Sequence, residues 1–130
     1  MPLTFDIRAD RDLVLETGEG TITVEDLLWV RRRELEHPDF AGCRSILTDA
    51  RRVTDPRVTP TDLRALAAFL GTRRELYANK RWAFVMDHPR ATGLALLLQQ
   101  LFTDSGLLEA RVFATMEAAC AWLELEPALG

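Results

Sequence analysis

Lysine, histidine and cysteine are scarce in this sequence, and long apolar runs are absent. Lys80 is the only lysine among 16 cationic residues, which reads as a bias of composition toward arginine. Cys43 and Cys120 stand singly, without C-x-x-C spacing. A disulfide framework is therefore not expected, and a reducing cytoplasm fits. Both thiols read as small buried hydrophobes. His37 and His88 are the only histidines, and neither sits in an H-x-x-H or H-E-x-x-H pattern. One ends a helix and the other follows a strand, so parallel strands would place them at opposite ends of a sheet, unable to share an ion. No metal or cofactor is expected. No apolar run approaches the ~20 residues of a membrane-spanning helix. The opening "MPLTFDIRAD" carries charge too early for a signal peptide. The expected location is cytoplasmic, with contact at a membrane surface left open.

What is present suits one domain. A chain of 130 residues with 48% hydrophobic and 28% charged residues can bury a core without staples, and the expected domain is 1–130. The net charge of -4 argues against a nucleic-acid partner, which calls for a concentrated basic face. Arg31-Arg32-Arg33 is the only basic run. Glu34, Glu36 and Asp39 follow it, so it reads as a solvated helix face.

Phe5 and Ile7 alternate with polar residues, "ADRD" turns, and Leu13-Val14-Leu15 begins a second strand, giving a hairpin. "TGEG" reads as its end. A helix follows, with Thr23 as N-cap, Asp26 as its capping-box partner and Ile22 with Leu27 as a staple. It should stop near His37, before Pro38. "RSILTDA" reads as a buried strand and "RRVTDPRVTP" as a loop. Thr59, Pro60 and Asp62 open the next helix, whose pattern runs to Tyr77. "RWAFVMD" is a strand closed by the Asp87-His88-Pro89 turn. A leucine-rich helix then ends near Gly106, followed by the strand "ARVFAT" and a helix capped by Thr115. The order β-β-α-β-α-β-α-β-α implies an α/β fold. Four to five strands form a mixed sheet, with an N-terminal antiparallel hairpin, a βαβαβα core and flanking helices.

In such sheets ligands bind at the carboxyl ends of the strands. Asp49, Arg51, Thr54, Asp87, His88 and Thr115 are the candidates there, beside two helix N-termini that favour anions. Phosphate-loop and nucleophile-elbow spacings are absent. No catalytic residue is assigned, and the chain is expected not to be an enzyme. A cleft using Asp49, Asp87 or His88 remains the enzymatic alternative.

"GTITVEDLL", "ILTDARRVT", "KRWAFVMD" and "ARVFATMEAACAWLE" together resemble the SpoIIAA-like family of the STAS superfamily. The similarity spans about Phe5 to Leu125, and Val112-Phe113 with Met116 to Leu123 is its most characteristic part. It speaks for fold more than for activity. It implies a small bacterial module without catalytic machinery, used in one of two ways. Anti-sigma-factor antagonists of this kind are phosphorylated on a hydroxyl at the start of the second helix and switch protein partners. Of their aspartate, two serines and glycine, this chain keeps one hydroxyl, Thr59, in Arg57-Val58-Thr59-Pro60. Thr59 is thus the candidate phospho-position. The other implied role is lipid or membrane contact through an apolar helix.

That helix is "ATGLALLLQQLF". At 100° per residue, Leu94, Leu97, Leu98, Leu101 and Phe102 share a core face with Ala91 and Ala95. Thr92, Leu96, Gln99, Gln100 and Thr103 form an uncharged outer face, the candidate membrane or partner surface. The preferred reading is a binding or regulatory module for a small apolar ligand or a membrane surface. The alternative is a protein-partner module, homodimeric or antagonist-like.

Overall fold

Alternating apolar residues Leu3, Phe5 and Ile7 build β1 (Leu3–Arg8), and a 3-10 turn at Ala9–Arg11 returns the chain into β2 (Leu13–Thr23). The computed structural model describes residues 2–125; residue 1 and residues 126–130, which the single-domain expectation also spans, lie outside the described residues. After β2 come α1 (Val24–Glu36), β3 (Ser45–Arg57), α2 (Pro60–Gly71), α3 (Arg74–Tyr77), β4 (Arg81–Val85), α4 (Pro89–Ser105), β5 (Glu109–Phe113) and α5 (Met116–Trp122). The five strands lie in the order β1-β2-β3-β4-β5. β1 and β2 pair antiparallel and every later pair is parallel, as the hairpin and the strand–helix alternation predict.

The period-two alternation of the strands separates two cores. On one face Val14, Ile46, Trp82 and Phe84 meet Val30 of α1, Leu66 of α2 and Leu98 and Phe102 of α4. On the other, Leu13, Leu47, Ala83 and Val85 meet Ala119, Cys120 and Leu123. α1 lies over β1 and β2, whereas α4 packs on α2 and on β5. Both cysteines are buried, as small apolar residues would be.

The helix starts follow the sequence. Thr23 and Thr59 both form reciprocal capping boxes, with Asp26 and Asp62. α1 ends at His37, and Gly106 ends α4 with φ 66 while Leu107 N–H donates back to the Phe102 carbonyl.

Three expectations are corrected. "TGEG" does not end the second strand: β2 runs through it, with register shifts at Thr17/Glu19 and Gly20/Thr21 and Gly20 at φ 71. The extra residue at each shift lies on β3, opposite the glycine-bearing part of β2, and the pair bends there rather than stopping. "RRVTDPR" is not a loop but the second half of β3, paired with the bent part of β2. β4 pairs with β3 only as far as Asp49, so Pro56 sits where no strand needs its missing N–H. The helix from Thr59 does not reach Tyr77: it ends at Gly71, and α3 is a separate turn.

The cap of α1 gives a direct test. Thr23→Ala should cost about 1 kcal/mol in urea unfolding with an unchanged m-value. Thr23→Ser should keep nearly all of that stability.

Candidate functional site

Beyond Asp49, β3 and the bent half of β2 form a two-stranded arm past the end of β4. Val53 and Pro56 from β3, with Gly18 and Ile22 from β2, face inward from this arm. Three helices border the space: the first turns of α1 and α2 with Leu27 and Leu63, and the N-terminal half of α4 with Ala91, Leu94, Ala95 and Leu98. Phe84 and Met86 floor it. The result is a partly open cavity of about 110 Å³ at the carboxyl edge of the sheet, its exposed surface apolar although Thr48 stands in the wall. Gly18 leaves room for Val53 there, since a Cβ would meet Val53 Cγ2 at 3.0 Å and press on it.

The strand-exit position was foreseen in the sequence, but the lining residues were not. Gly18, Val53, Pro56 and Val58 of the wall come from the two stretches that read as a break and a loop. The Gly and Pro content there masked an apolar series, Val53, Pro56 and Val58, that marks a buried face.

Beneath the cavity lies a buried ionic cluster. Thr48, on its wall, donates to Glu16 Oε1 at 2.6 Å and accepts from Trp82 Nε1 at 2.9 Å. Glu16 is ion-paired to Arg31, whose guanidinium lies 4.6 Å from the Trp82 ring centroid. Arg31 Nη2 is also 3.2 Å from Glu34 Oε1. Glu16, Arg31 and Glu34 are 1%, 2% and 0% exposed, so the solvated-face reading of the arginine run fails at Arg31. Arg32 and Arg33 remain exposed. The periodicity puts Arg31 one position from Val30, on the buried side of the helix. Burial lowers the proton affinity of Arg31, but Glu16 and Glu34 outweigh it and hold the guanidinium charged. Burial raises Glu34 well above the usual carboxylate range, against the pull of Arg31. Burial likewise pushes Tyr77 up. Among the described residues, both Glu34 carboxyl oxygens, Tyr77 Oη and Arg31 Nε have no hydrogen-bond partner.

Lys80 is buried too. Its Nζ donates to the carbonyls of Phe40 at 2.8 Å, Cys43 at 2.5 Å and Ala41 at 3.4 Å, and lies over the Phe40 ring. A compact three-donor ammonium suits this task better than a planar guanidinium. The single lysine among arginines was the signal, and composition bias does not account for it.

The strand-exit polar residues do not enter the cavity. Asp49 and Arg51 share the opposite, α5-bearing face with Leu47 and Val85. They form a two-pronged ion pair at 2.9 and 2.8 Å. That hydrogen bonding, against partial burial, lowers the Asp49 pKa. Asp87 adds to the field on Arg51. Thr54 is exposed within β3, not in a loop. His88 caps α4, its Nδ1 accepting from the N–H groups of Arg90 at 3.2 Å and Ala91 at 3.3 Å. Thr115 caps α5 by accepting from Ala118 N–H. Among the described residues, no three His, Cys, Asp or Glu side chains are grouped to hold a metal.

On α4, Ala91, Ala95, Leu98 and Phe102 are fully buried, with Leu94, Leu97 and Leu101 packed at the margin. Leu96 is 49% exposed. Gln100 donates to Asp104 and Thr103 to the Gln99 carbonyl, so the outer face ends in a charge that the shorter sequence window missed. Thr92 and Gln99 are half-buried. No described helix is long and apolar enough to cross a membrane.

The solved structure of the anti-sigma factor antagonist SpoIIAA in its unphosphorylated form matches with a TM-score of 0.56 and 15% identity, over 94% of this chain and 97% of that one. An uncharacterised DUF3478-family protein from Shewanella loihica, described as having a SpoIIAA-like fold, matches with a TM-score of 0.56 and 17% identity, over 93% of each chain. The fold is SpoIIAA-like. No family model matches the sequence, and no curated protein matches it. The resemblance read from the hydrophobic patterns is upheld at the level of fold.

On this SpoIIAA-like sheet, Arg31 holds two buried carboxyl groups against α1. Arg31→Met should destabilise by about 3–5 kcal/mol, because Glu16 is left buried without its partner. Adding Glu16→Leu should recover much of that loss. Urea midpoints that shift by less than the cost of a surface substitution would deny the cluster its role.

Proposed function

We propose that the protein is a non-catalytic binding module whose ligand is a small apolar molecule, or the apolar end of a larger lipid-like one. The observation that carries this reading is the wholly apolar cavity at the carboxyl edge of the sheet. At about 110 Å³ it is somewhat smaller than the roughly 150 Å³ dry cavity that accommodates benzene. Each methylene buried there contributes about 0.8 kcal/mol, so a few carbons give weak binding and a longer ligand must also lie along the surface. Leu94 and Leu97 at the margin of α4 suit such contact, including contact with a membrane surface. The polar candidates support a role without catalysis: Asp49 is paired with Arg51, and His88 Nδ1 and Thr115 Oγ1 are occupied by helix N-termini.

Ala95→Leu should fill the cavity and abolish binding of a neutral apolar dye such as N-phenyl-1-naphthylamine, with native folding retained. Native mass spectrometry of detergent-free protein should show a hydrophobic adduct in the parent and none in the variant. Equal dye binding by both would remove the cavity as the site.

A second reading, a regulatory partner-binding module, is favoured by the exposure of Leu96 and by the likeness to an anti-sigma factor antagonist. Its phospho-switch version has a physical obstacle. Thr59 is exposed, but its hydroxyl accepts from Asp62 N–H and the Asp62 carboxylate sits at its own N–H, 2.9 Å away, where it would repel a phosphate. If α4 is an interface between two copies of the chain, Leu96→Glu converts a concentration-dependent dimer into a monomer in sedimentation equilibrium. A parent that is monomeric throughout excludes that interface.

A further inference from the structure

On the sheet face that carries α1, α2 and α4, Val14, Ile46 and Trp82 form a packed row, and Gly18, Ala50 and Met86 border the cavity. Between these rows the register sets Glu16 of β2, Thr48 of β3 and Phe84 of β4 side by side. Thr48 therefore stands at the boundary between the ionic cluster and the apolar space, and it touches both.

Its hydroxyl faces the cluster, donating to Glu16 Oε1 at 2.6 Å and accepting from Trp82 Nε1 at 2.9 Å. A hydroxyl has one proton to donate, and here Glu16 holds it. What Thr48 shows to the cavity is carbon, because the exposed surface there is apolar. Behind it Glu16 is 1% exposed and paired with Arg31. Without the threonine side chain, a charged acceptor and an indole donor would adjoin the apolar space.

We propose that Thr48 determines the ligand class of the cavity: its side chain screens the buried Glu16 carboxylate, so the site takes a hydrocarbon end and excludes one that bears a hydroxyl or an amine. This rests on the cavity being the ligand site. A hydroxyl entering the cavity would give up its hydrogen bonds to water, and the apolar wall offers none in exchange. Once the threonine hydroxyl is removed, a ligand hydroxyl can occupy its place, donating to Glu16 and accepting from Trp82.

Toluene and phenol are close in shape and differ by one hydroxyl. Their affinities for the full chain can be read by displacement of N-phenyl-1-naphthylamine. The parent should favour toluene by about 100-fold. Thr48→Ala should raise phenol relative to toluene by about tenfold or more, the scale of one hydrogen bond to a charged group. Thr48→Ser, which keeps the hydroxyl, and Thr48→Val, which fills its place with a methyl, should keep the parent's ratio. The ratio isolates the hydroxyl, since a larger cavity alters both affinities alike. A parent that binds the two equally, or an Ala variant with the parent's ratio, overturns the role of Thr48 and leaves the cavity reading intact. Displacement by neither ligand overturns the cavity reading, and this proposal with it. A measurement on the parent alone covers an Ala variant that does not fold. The Trp82 Nε1 proton should exchange at the same slow rate with either ligand at saturation. Faster exchange with phenol alone means that the ligand hydroxyl competes for Thr48, and it overturns the screen.

Discussion

Arg31, ion-paired to Glu16 and stacked on Trp82, is the interaction on which the rest of the architecture depends. It ties α1 to the second strand of the sheet. Through Thr48 it ties that strand to β3, and through the Trp82 indole N–H to β4. Trp82 in turn stacks on Phe102 of α4 at 5.6 Å between centroids. One connected series of polar and aromatic contacts therefore sets the seating of two helices on three strands. Such a buried ion pair is costly to desolvate, and its gain lies in fixing one arrangement more than in raising stability. A rotation of α1 that traded Arg31 for Val30 would leave Glu16 without its cation.

The cavity is a consequence of that seating. α1 lies over β1 and β2, and only Leu27 of its first turn borders the strand exits. The bent arm of β2 and β3 and the small residues Ala91 and Ala95 of α4 leave apolar space unfilled there. Larger residues at those α4 positions would complete the core. The same helix face supplies Leu98 and Phe102 to the tightly packed part of the core, so the change from packed to unpacked occurs within one helix. The polar cluster stays off the cavity surface because Thr48 engages Glu16 and Trp82, which leaves the wall apolar.

Much of this was legible in the sequence. The hairpin, the succession of strands and helices along the chain, the caps at Thr23, Thr59 and Thr115, the stop at Gly106 and the split of α4 into a core face and an outer Leu96 all follow from local rules that act through neighbouring backbone groups. The site was legible only as a region. Asp49, Arg51, Asp87 and Thr115 drew notice because they are polar and lie at strand exits, but they sit on the other face of the sheet or serve as caps. What escaped has a shared cause: it depends on contacts between residues distant in sequence. Nothing near Arg31 distinguishes it from Arg32 and Arg33 except its phase relative to Val30, and nothing near Glu16 announces a partner 15 residues away. Gly18, Gly20 and Pro56 act as breaks in most strands; here they lie in a bent arm where β3 bulges against β2 and no further strand pairs with it.

The central claim is that the strand-exit cavity is dry, apolar and accessible to an apolar ligand. The most direct measurement is a crystal structure of the protein under xenon pressure, since xenon occupies apolar cavities whatever their natural ligand. A xenon peak among Gly18, Leu63, Phe84 and Ala95 is the predicted result. Hydrogen-bonded water in that space, or a collapsed wall with no xenon there, would contradict the account.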